Sequence, residues 1–357
     1  MTLRPEGKSR RGKTQKIATI YDVARRAYVS KTTVSRVVNG EANVREETRD
    51  AVLKAVKALQ FRPNKAARSL ASAAEARIGV VYCNPSVAYF NELLIGALDG
   101  SGRNGMQLVV DKCEIGDVEA AITAVRYLVH GGLNGMVLTA PISESRKLIA
   151  ELVKAGVAVV SVATGGFRGE VSCVGIDDCK AAYEMTSYLL KLGHRQIGFI
   201  KGHPSHTSST QRSKGFEQAL RETECRNIEP MVVQGYFSYR SGLDAAEKLL
   251  SGRTIPTAIF ASNDEMASAA MSVAHRKGLY VPRDLSIVGF DDTIAGSVWP
   301  QLTTIRQPIY DIASTAIDII ADNIRSLKSG VRPKPRNHQV PHTLIEREST
   351  APPPPER

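Results

Sequence analysis

From Arg77 onward, short apolar runs alternate with longer amphipathic stretches, and this rhythm constrains the fold more than any other feature of the chain. The runs are IGVVY (78–82), QLVV (107–110), GMVL (135–138), VAVV (157–160), IGFI (197–200), MVV (231–233), TAIF (257–260) and LSIVGF (285–290). Between them lie stretches with helical spacing at 91–101, 120–129, 181–192, 215–221, 241–250 and 266–277. Strands that are apolar on both sides belong to parallel sheets covered by helices on both faces. About eight such units exceed one compact open sheet, so the pattern predicts two α/β lobes with a ligand between them at the strand carboxyl ends.

Residues 18–60 follow a different grammar. Thr19 with Asp22 three residues later has the form of a capping box, and Ile20, Val23, Ala24 and Ala27 make one apolar face. A break at Tyr28-Val29 leads to Ser30, a good N-cap, and to a second short helix through Val34, Val37 and Val38, which are expected in the core. Asn39-Gly40 stops it, and Val44, Val52, Ala55, Val56 and Leu59 mark a third helix. Three short helices around so small a core predict a helix-turn-helix domain. Pro63 ends this unit, and 65–72 could form one more helix that cannot bury itself.

The charge is partitioned in the same way. The 357 residues carry a formal net charge of +11, of which residues 1–76 hold 17 Lys and Arg against 7 Asp and Glu. That is +10 on the head and +1 on the other 281 residues, which points to a polyanionic partner for the head alone. No window approaches 18 consecutive apolar residues, so no membrane span is expected, and nothing at the N-terminus reads as a secretory signal. Cys83, Cys113, Cys173, Cys179 and Cys225 are thinly spread without C-x-x-C, as expected of reduced thiols in a cytoplasmic protein. No nucleophile elbow, P-loop, H-E-x-x-H or dinucleotide fingerprint occurs, so no catalytic residue and no cofactor is expected. His203 and His206 lack a third ligand nearby and read as loop residues, with no metal expected; His194 reads as structural.

The run TIYDVARRAYVSKTTVSRVVNG, the TR of EETRDAV and then RPNKAARSLAS closely resemble the lactose-repressor (LacI/GalR) family of transcription regulators, and the resemblance extends to about residue 347. It implies an α/β fold class: a three-helix helix-turn-helix head plus hinge, then a two-lobed core like periplasmic binding proteins, with two parallel doubly wound sheets. The expected divisions are a disordered basic tail at 1–17, the head at 18–63, a hinge helix and linker at 64–76, and a core at 77–348. One lobe takes about 77–175 and 307–337, the other about 176–306 and 338–348, and 349–357 is a loose tail.

In residue terms, the resemblance makes Lys31 and Thr32 the main base readers, with Ser30, Thr33, Ser35, Arg36 and Asn39 at further contact positions. A helix beginning at Ser30 also offers its N–H groups to phosphate. Thr19 and Tyr21 match backbone-contacting positions, although Tyr21 could instead cover the small core. Asn64 matches a phosphate contact in the hinge, and Ala67 and Leu70 match the apolar wedge that enters the minor groove. Two positions depart from the family: Tyr28 stands where glycine is usual in the turn, and Arg45 stands where Ser or Thr caps the third helix.

The core resemblance places Tyr89, Phe90, Arg212, Phe237, Asn263, Asp264 and Asp291 in an effector cleft, with core packing, ion pairing or capping as the competing role for each. The expected partners are double-stranded operator DNA, a second copy of the chain and a small effector, with a sugar ahead of a nucleobase. The expected function is a repressor acting as a dimer on a pseudopalindromic operator in the cytoplasm, associated with the nucleoid. The alternative is a two-lobed sensor with no DNA role.

Overall fold

The computed structural model describes residues 18–38, 44–59, 61, 76–82, 84–112, 117–162, 169–223 and 231–355. The chain divides into two compact units, Met1–Glu75 and Ala76–Arg357. The expected tail at 1–17 and hinge at 64–75 lie outside the described residues, as do Asn39, Asn64, Ala67, Leu70, Cys83, Cys113 and Cys225.

The first unit contains α1 (Ile20–Arg26), α2 (Lys31–Val38) and α3 (Glu46–Ala58). The Asp22 carboxylate accepts from the Thr19 amide at 2.8 Å and from its hydroxyl at 2.7 Å, closing the start of α1. Ser30 Oγ accepts from the Thr33 amide at 3.1 Å and starts α2. Arg45 makes no side-chain cap at α3; instead Glu46 and Glu47 place negative charge in its first turn. Val23, Val34, Val37, Val52 and Ala55 form the buried centre, and Val38 packs against its edge. Tyr28 has φ +53°, so the turn keeps its left-handed conformation with a side chain that is 96% exposed and gains nothing by burial.

The second unit holds two six-stranded sheets. In chain order its elements are β1 (Arg77–Tyr82), α4 (Val87–Arg103), β2 (Gln107–Lys112), α5 (Val118–His130), β3 (Gly135–Leu138), α6 (Arg146–Lys154), β4 (Ala158–Val162) and β5 (Ser172–Gly175). The chain then builds α7 (Asp178–Lys191), β6 (Ile197–Lys201), α8 (Thr207–Glu222), β7 (Met231–Gln234), α9 (Tyr239–Leu250), β8 (Ala258–Ala261), α10 (Asp264–Arg276), β9 (Ser286–Asp291) and β10 (Thr303–Arg306). It returns to the first sheet through α11 (Ile309–Lys328) and β11 (Asn337–Gln339), then ends in the second as β12 (Thr343–Ile345). The strand orders are β11-β5-β4-β3-β1-β2 and β12-β10-β9-β8-β6-β7, so the two lobes repeat one topology. Every pairing is parallel except the edge pair β10–β12. The chain passes between sheets after β5, after β10 and after β11.

Each sheet is covered on both faces, which is why its strands read as continuous apolar runs. In the first lobe, Leu93 of α4 and Ile312, Ile317 and Ile320 of α11 pack on one face, and Ile122 of α5 and Leu148 of α6 on the other. In the second, α9 and α10 cover one face while α7 and α8 bring Met185, Leu189 and Phe216 to the other. The Phe199 and Phe216 rings stack at 4.5 Å there. Gly215 brings α8 against α7, since a Cβ at that position would lie 2.0 Å from the Cys179 carbonyl oxygen.

Several elements escape the apolar rhythm. β5 and β10 are four residues each and carry Ser, Thr and Arg, and α8 starts at Thr207 because tertiary packing holds a Ser/Thr-rich first half that has little helical preference of its own. The C-terminal segment expected to be loose is docked on the second sheet. Ser349 is fully buried, its hydroxyl donates to the Ile287 carbonyl at 2.5 Å, and it accepts from the Thr303 amide at 2.9 Å. His194, also fully buried, bonds the Ala351 carbonyl at 2.9 Å and Thr257 Oγ1 at 2.9 Å, a structural role. Burial holds its pKa below the usual imidazole value.

Removing residues 349–357 strands these buried partners, each worth about 1–3 kcal/mol when left unpaired. A chain ending at Glu348 is expected to melt at least about 5 °C lower than the full chain by calorimetry, whereas a loose tail would leave the melting point unchanged.

Candidate ligand cleft and nucleic-acid-facing head

The strand carboxyl ends of the two sheets meet around a narrow cleft. The first lobe contributes Tyr82, Asn84, Ser86, Tyr89, Leu93, Thr139 and Ala140; the second contributes His206, Ser208, Arg212, Phe237, Asn263 and Asp291. The cavity left between them is about 40 Å³, far below the roughly 300–1,000 Å³ of ligand pockets, so the lobes stand close together. A larger hollow of about 910 Å³ lies on the outer side of the first lobe, between α6, the end of α11 and residues 332–335. Its walls are mostly apolar, with Lys154, Glu170, Arg332 and Lys334 at the rim, and its buried polar residue, Ser172, already accepts from the Arg336 amide at 3.1 Å.

Arg212 is the centre of the second lobe's wall. It is 5% exposed; its Nε donates to Asp178 at 2.8 Å, its Nη1 to the Ser262 carbonyl, and Nη1 lies 3.7 Å from Asp291. The guanidinium sits 3.6 Å over the Phe290 ring and 5.7 Å from that of Phe237. The expected ligand-facing role and the competing ion pair are therefore the same geometry: the pair with Asp178 fixes the fork that edges the cleft.

Asp291, at φ +107°, accepts from Gln307 Nε2 at 2.6 Å. Burial pushes its carboxyl up to about 7, against the pull of Arg212. Burial likewise raises Asp178, which Arg212 partly offsets.

Phe237 has φ +61°, and its ring packs where Gly202 has no side chain; a Cβ there would lie 2.0 Å from it. Asn263 lines the cleft, but Nδ2 donates to the Phe237 carbonyl at 2.9 Å and Oδ1 accepts from the Met266 amide at 3.0 Å. It holds Phe237 and starts α10 as much as it faces a ligand.

Two expected cleft residues are elsewhere. Asp264 is fully buried, accepts from Thr304 Oγ1 at 2.7 Å and the Thr293 amide at 2.8 Å, and joins β10 to α10. Phe90 stacks on Tyr82 at 3.8 Å outside the cleft, because one step along α4 turns a side chain by about 100°.

His206, which sequence reasoning missed as a cleft residue, lies beside the expected Tyr89. The Tyr89 hydroxyl has no hydrogen-bond partner although the side chain is buried in the cleft wall, and the buried His206 ring beside it meets the backbone of Ala140. Burial, then the neighbouring His203, lowers the His206 pKa to about 4, so it stands neutral. A buried hydroxyl of this kind needs a polar partner, and Tyr89 borders the cleft. In the sequence His206 reads as half of a His-x-x-His loop pair, and no cluster of metal-binding groups forms among the described residues. His203 instead accepts from Ser205 Oγ at 2.7 Å.

On the head, Ser30, Lys31, Thr32 and Arg36 are exposed on α2, with Thr33 and Ser35 half-buried beside them. Thr19 is exposed, and Tyr21 is 61% exposed with the Lys31 ammonium 5.1 Å from its ring centre, so it does not cover the small core. This cationic, hydroxyl-rich helix start is suited to phosphate and base edges.

Residues 19–64 match the model of bacterial regulatory proteins of the lacI family, and 186–350 match a periplasmic binding protein-like domain. The chain is 34% identical to catabolite control protein A of Priestia megaterium over 337 residues, covering 93% of this chain and 99% of that one. The chain belongs to the lacI family. It is also 33% identical to the transcriptional repressor PurR of Escherichia coli O1:K1 over 338 residues, 94% of this chain and 97% of that one. Among solved structures it is similar to the lac repressor dimer bound to operator and the anti-inducer ONPF, with TM-score 0.69, 29% identity and coverage of 94% and 100%. As a lacI-family member it is a DNA-binding transcriptional regulator and not an enzyme, and a sensor with no DNA role is set aside. No helix among the described residues is long and apolar enough to cross a membrane.

His206 and Asp291 give opposite pH signatures. The folded pKa of His206, about 4, lies below its ordinary 6.5, so its contribution is complete above 6.5 and is lost as pH falls towards 4. Asp291, raised to about 7, favours the fold at low pH and loses that contribution as pH rises through 7. The stability of the natural chain minus that of His206→Gln is expected to fall by up to about 3 kcal/mol between pH 6.5 and 4 in denaturant titrations. A flat difference overturns the neutral, buried assignment of His206.

Proposed function

We propose that the protein is a repressor that binds a pseudopalindromic operator as a homodimer and that a small carbohydrate in the cleft sets its operator affinity. The observation carrying the effector class is the cleft wall. The fixed Arg212 fork, Asp291, Ser86, Thr139 and Ser208 converge there with the unpartnered Tyr89 hydroxyl and the buried His206 ring. Alternating donors and acceptors around a cation already neutralised by Asp178 suit a neutral ligand rich in hydroxyl groups, and the Phe237 ring offers it an apolar face. A similar solved structure, the regulator CelR in complex with cellobiose (TM-score 0.68, 27% identity, covering 93% of this chain and 99% of that one), supports a sugar. A nucleobase is the second reading, favoured by the similarity to PurR. It is weakened because Phe90 packs on Tyr82 and does not line the wall beside Tyr89.

On the DNA side, Lys31 and Thr32 read bases, while Ser30, Thr33, Ser35, Arg36, Thr19, Tyr21, Asn39 and Asn64 contact bases or phosphate. Ala67 and Leu70 of paired hinges wedge open the central base step. Two heads match two half-sites because a two-fold protein mirrors a two-fold operator. Effector binding changes the lobe arrangement and, by linkage, operator affinity. The regulator works in the cytoplasm, on the nucleoid.

Operator affinity is expected to fall steeply with salt, with a slope of about −0.9 per neutralised phosphate in log–log form. Lys31→Ala costs about 1–3 kcal/mol at its cognate half-site and relaxes specificity there, measured by fluorescence anisotropy on matched and mutated operators. Salt-independent binding would sink the DNA role.

A thermal-shift series of sugars and nucleobases on the full chain should find a sugar giving about 2.7 kcal/mol of stabilisation at 100 times its Kd. That shift is lost in Arg212→Lys, which keeps charge but not the planar fork. A response to nucleobases alone would replace the sugar reading with the second one.

A further inference from the structure

The two lobes repeat one strand order, so β1 corresponds to β6 and β3 to β8. The helices that follow β1 and β6 are α4 and α8, and both open at the cleft. Neither has an acidic residue in its first turn. His206, at the N-cap of α8, gives that helix no side-chain cap. Neither helix start is thus met by a carboxylate from its own first turn, although Ser86 Oγ caps α4.

The missing carboxylates come from the opposite lobe. Glu144, in the short turn after β3, accepts from the Thr207 amide at 3.0 Å and from the Thr207 hydroxyl, at the start of α8. Glu265, in the first turn after β8, accepts from Ser86 Oγ at 2.9 Å and from the Ala88 amide, at the start of α4. Ser86 Oγ in turn accepts from the Tyr89 amide at 3.2 Å, so Glu265 reaches the cap of α4 and the turn that carries Tyr89 into the cleft. A carboxylate in the turn after β3 or β8 therefore caps the helix that follows β6 or β1 in the other lobe. Charge-assisted bonds to helix starts are among the stronger hydrogen bonds, and these span the cleft on both strands' sides.

We propose that Glu144 and Glu265 are a reciprocal pair of positioning residues that hold the lobes together over the cleft, each capping a helix of the opposite lobe, so that opening the cleft breaks both caps as one event. Closure is then specific in register, because each carboxylate has one helix start to meet. The pair also ties the cleft's two walls, at Tyr89 and at His206, to the same transition. The proposal rests on the reading of this cleft as the effector site for its regulatory meaning, but its geometry is independent of what the effector is.

The test is hydrogen–deuterium exchange by mass spectrometry on the full chain without effector or DNA, so that a failed sugar or operator reading leaves it intact. In Glu144→Ala, exchange should quicken roughly 10-fold at the Thr207–Ser209 turn and also at the Ala88–Phe90 turn in the opposite lobe, with β8 still protected. Glu265→Ala should show the same two turns changing, from the other side. Glu144→Gln and Glu265→Gln keep an acceptor without the charge and should show the same paired pattern, smaller; they decide the matter if an alanine variant fails to fold. If each variant quickens only the turn it caps, the carboxylates are independent caps and the coupled latch is overturned.

Discussion

The buried Arg212 guanidinium is the interaction on which the core's chemistry depends. A cation taken out of water is tolerable only when paired, and Asp178 at 2.8 Å, the Ser262 carbonyl and the Phe290 face supply that pairing from α7, the residue after β8, and β9. One guanidinium does not neutralise every carboxylate near it. Asp291 is therefore held near 7 by burial, and Asp264 is raised well above the usual carboxylate value by its own burial and then by the charge of Asp291. The outcome is a cleft wall that is firmly ordered yet close to electrically neutral, which matches an uncharged polar ligand better than an anion.

The repeated lobe topology gives that wall its second half. Because both sheets end their central strands at the same place, helix starts, strand ends and short turns from each lobe face one another across about 40 Å³ of space. A small ligand in such a position touches both lobes at once, and any preference it has for one lobe arrangement becomes a preference for one arrangement of what the lobes carry. The lacI-family plan joins this core to a head whose fold is held by seven small apolar side chains. That small core is enough to present α2, while the charge of the first 76 residues brings it to DNA.

Much of this was legible beforehand. All eight apolar runs from 78 to 290 contain strands, and the head's first two helices begin where Thr19 and Ser30 put them; the third starts at Glu46, leaving Val44, expected on it, outside. Less legible were the short polar strands β5, β10, β11 and β12, whose stability comes from a neighbour already in place. The docking of Ser349 and Ala351 was hidden for the same reason: a proline-rich end looks loose until its partners Ile287, Ser286 and His194 are brought beneath it.

The sequence by itself determined the class of the protein: a basic helix-turn-helix head, two α/β lobes, and a cleft at the strand ends. Periodicity and charge are properties of neighbours along the chain, and they survive without coordinates. Only the tertiary structure decided which member of each adjacent pair does what. Tyr89 faces the cleft while Phe90 stacks on Tyr82. Asn263 lines the wall while Asp264 ties β10 to α10, and Asp291 faces Arg212 while Asp292 pairs with Arg306 and Arg347. One residue step turns a helical side chain by about 100° and sends a strand side chain to the opposite face, so function within a doublet is set by the direction from which the other lobe arrives.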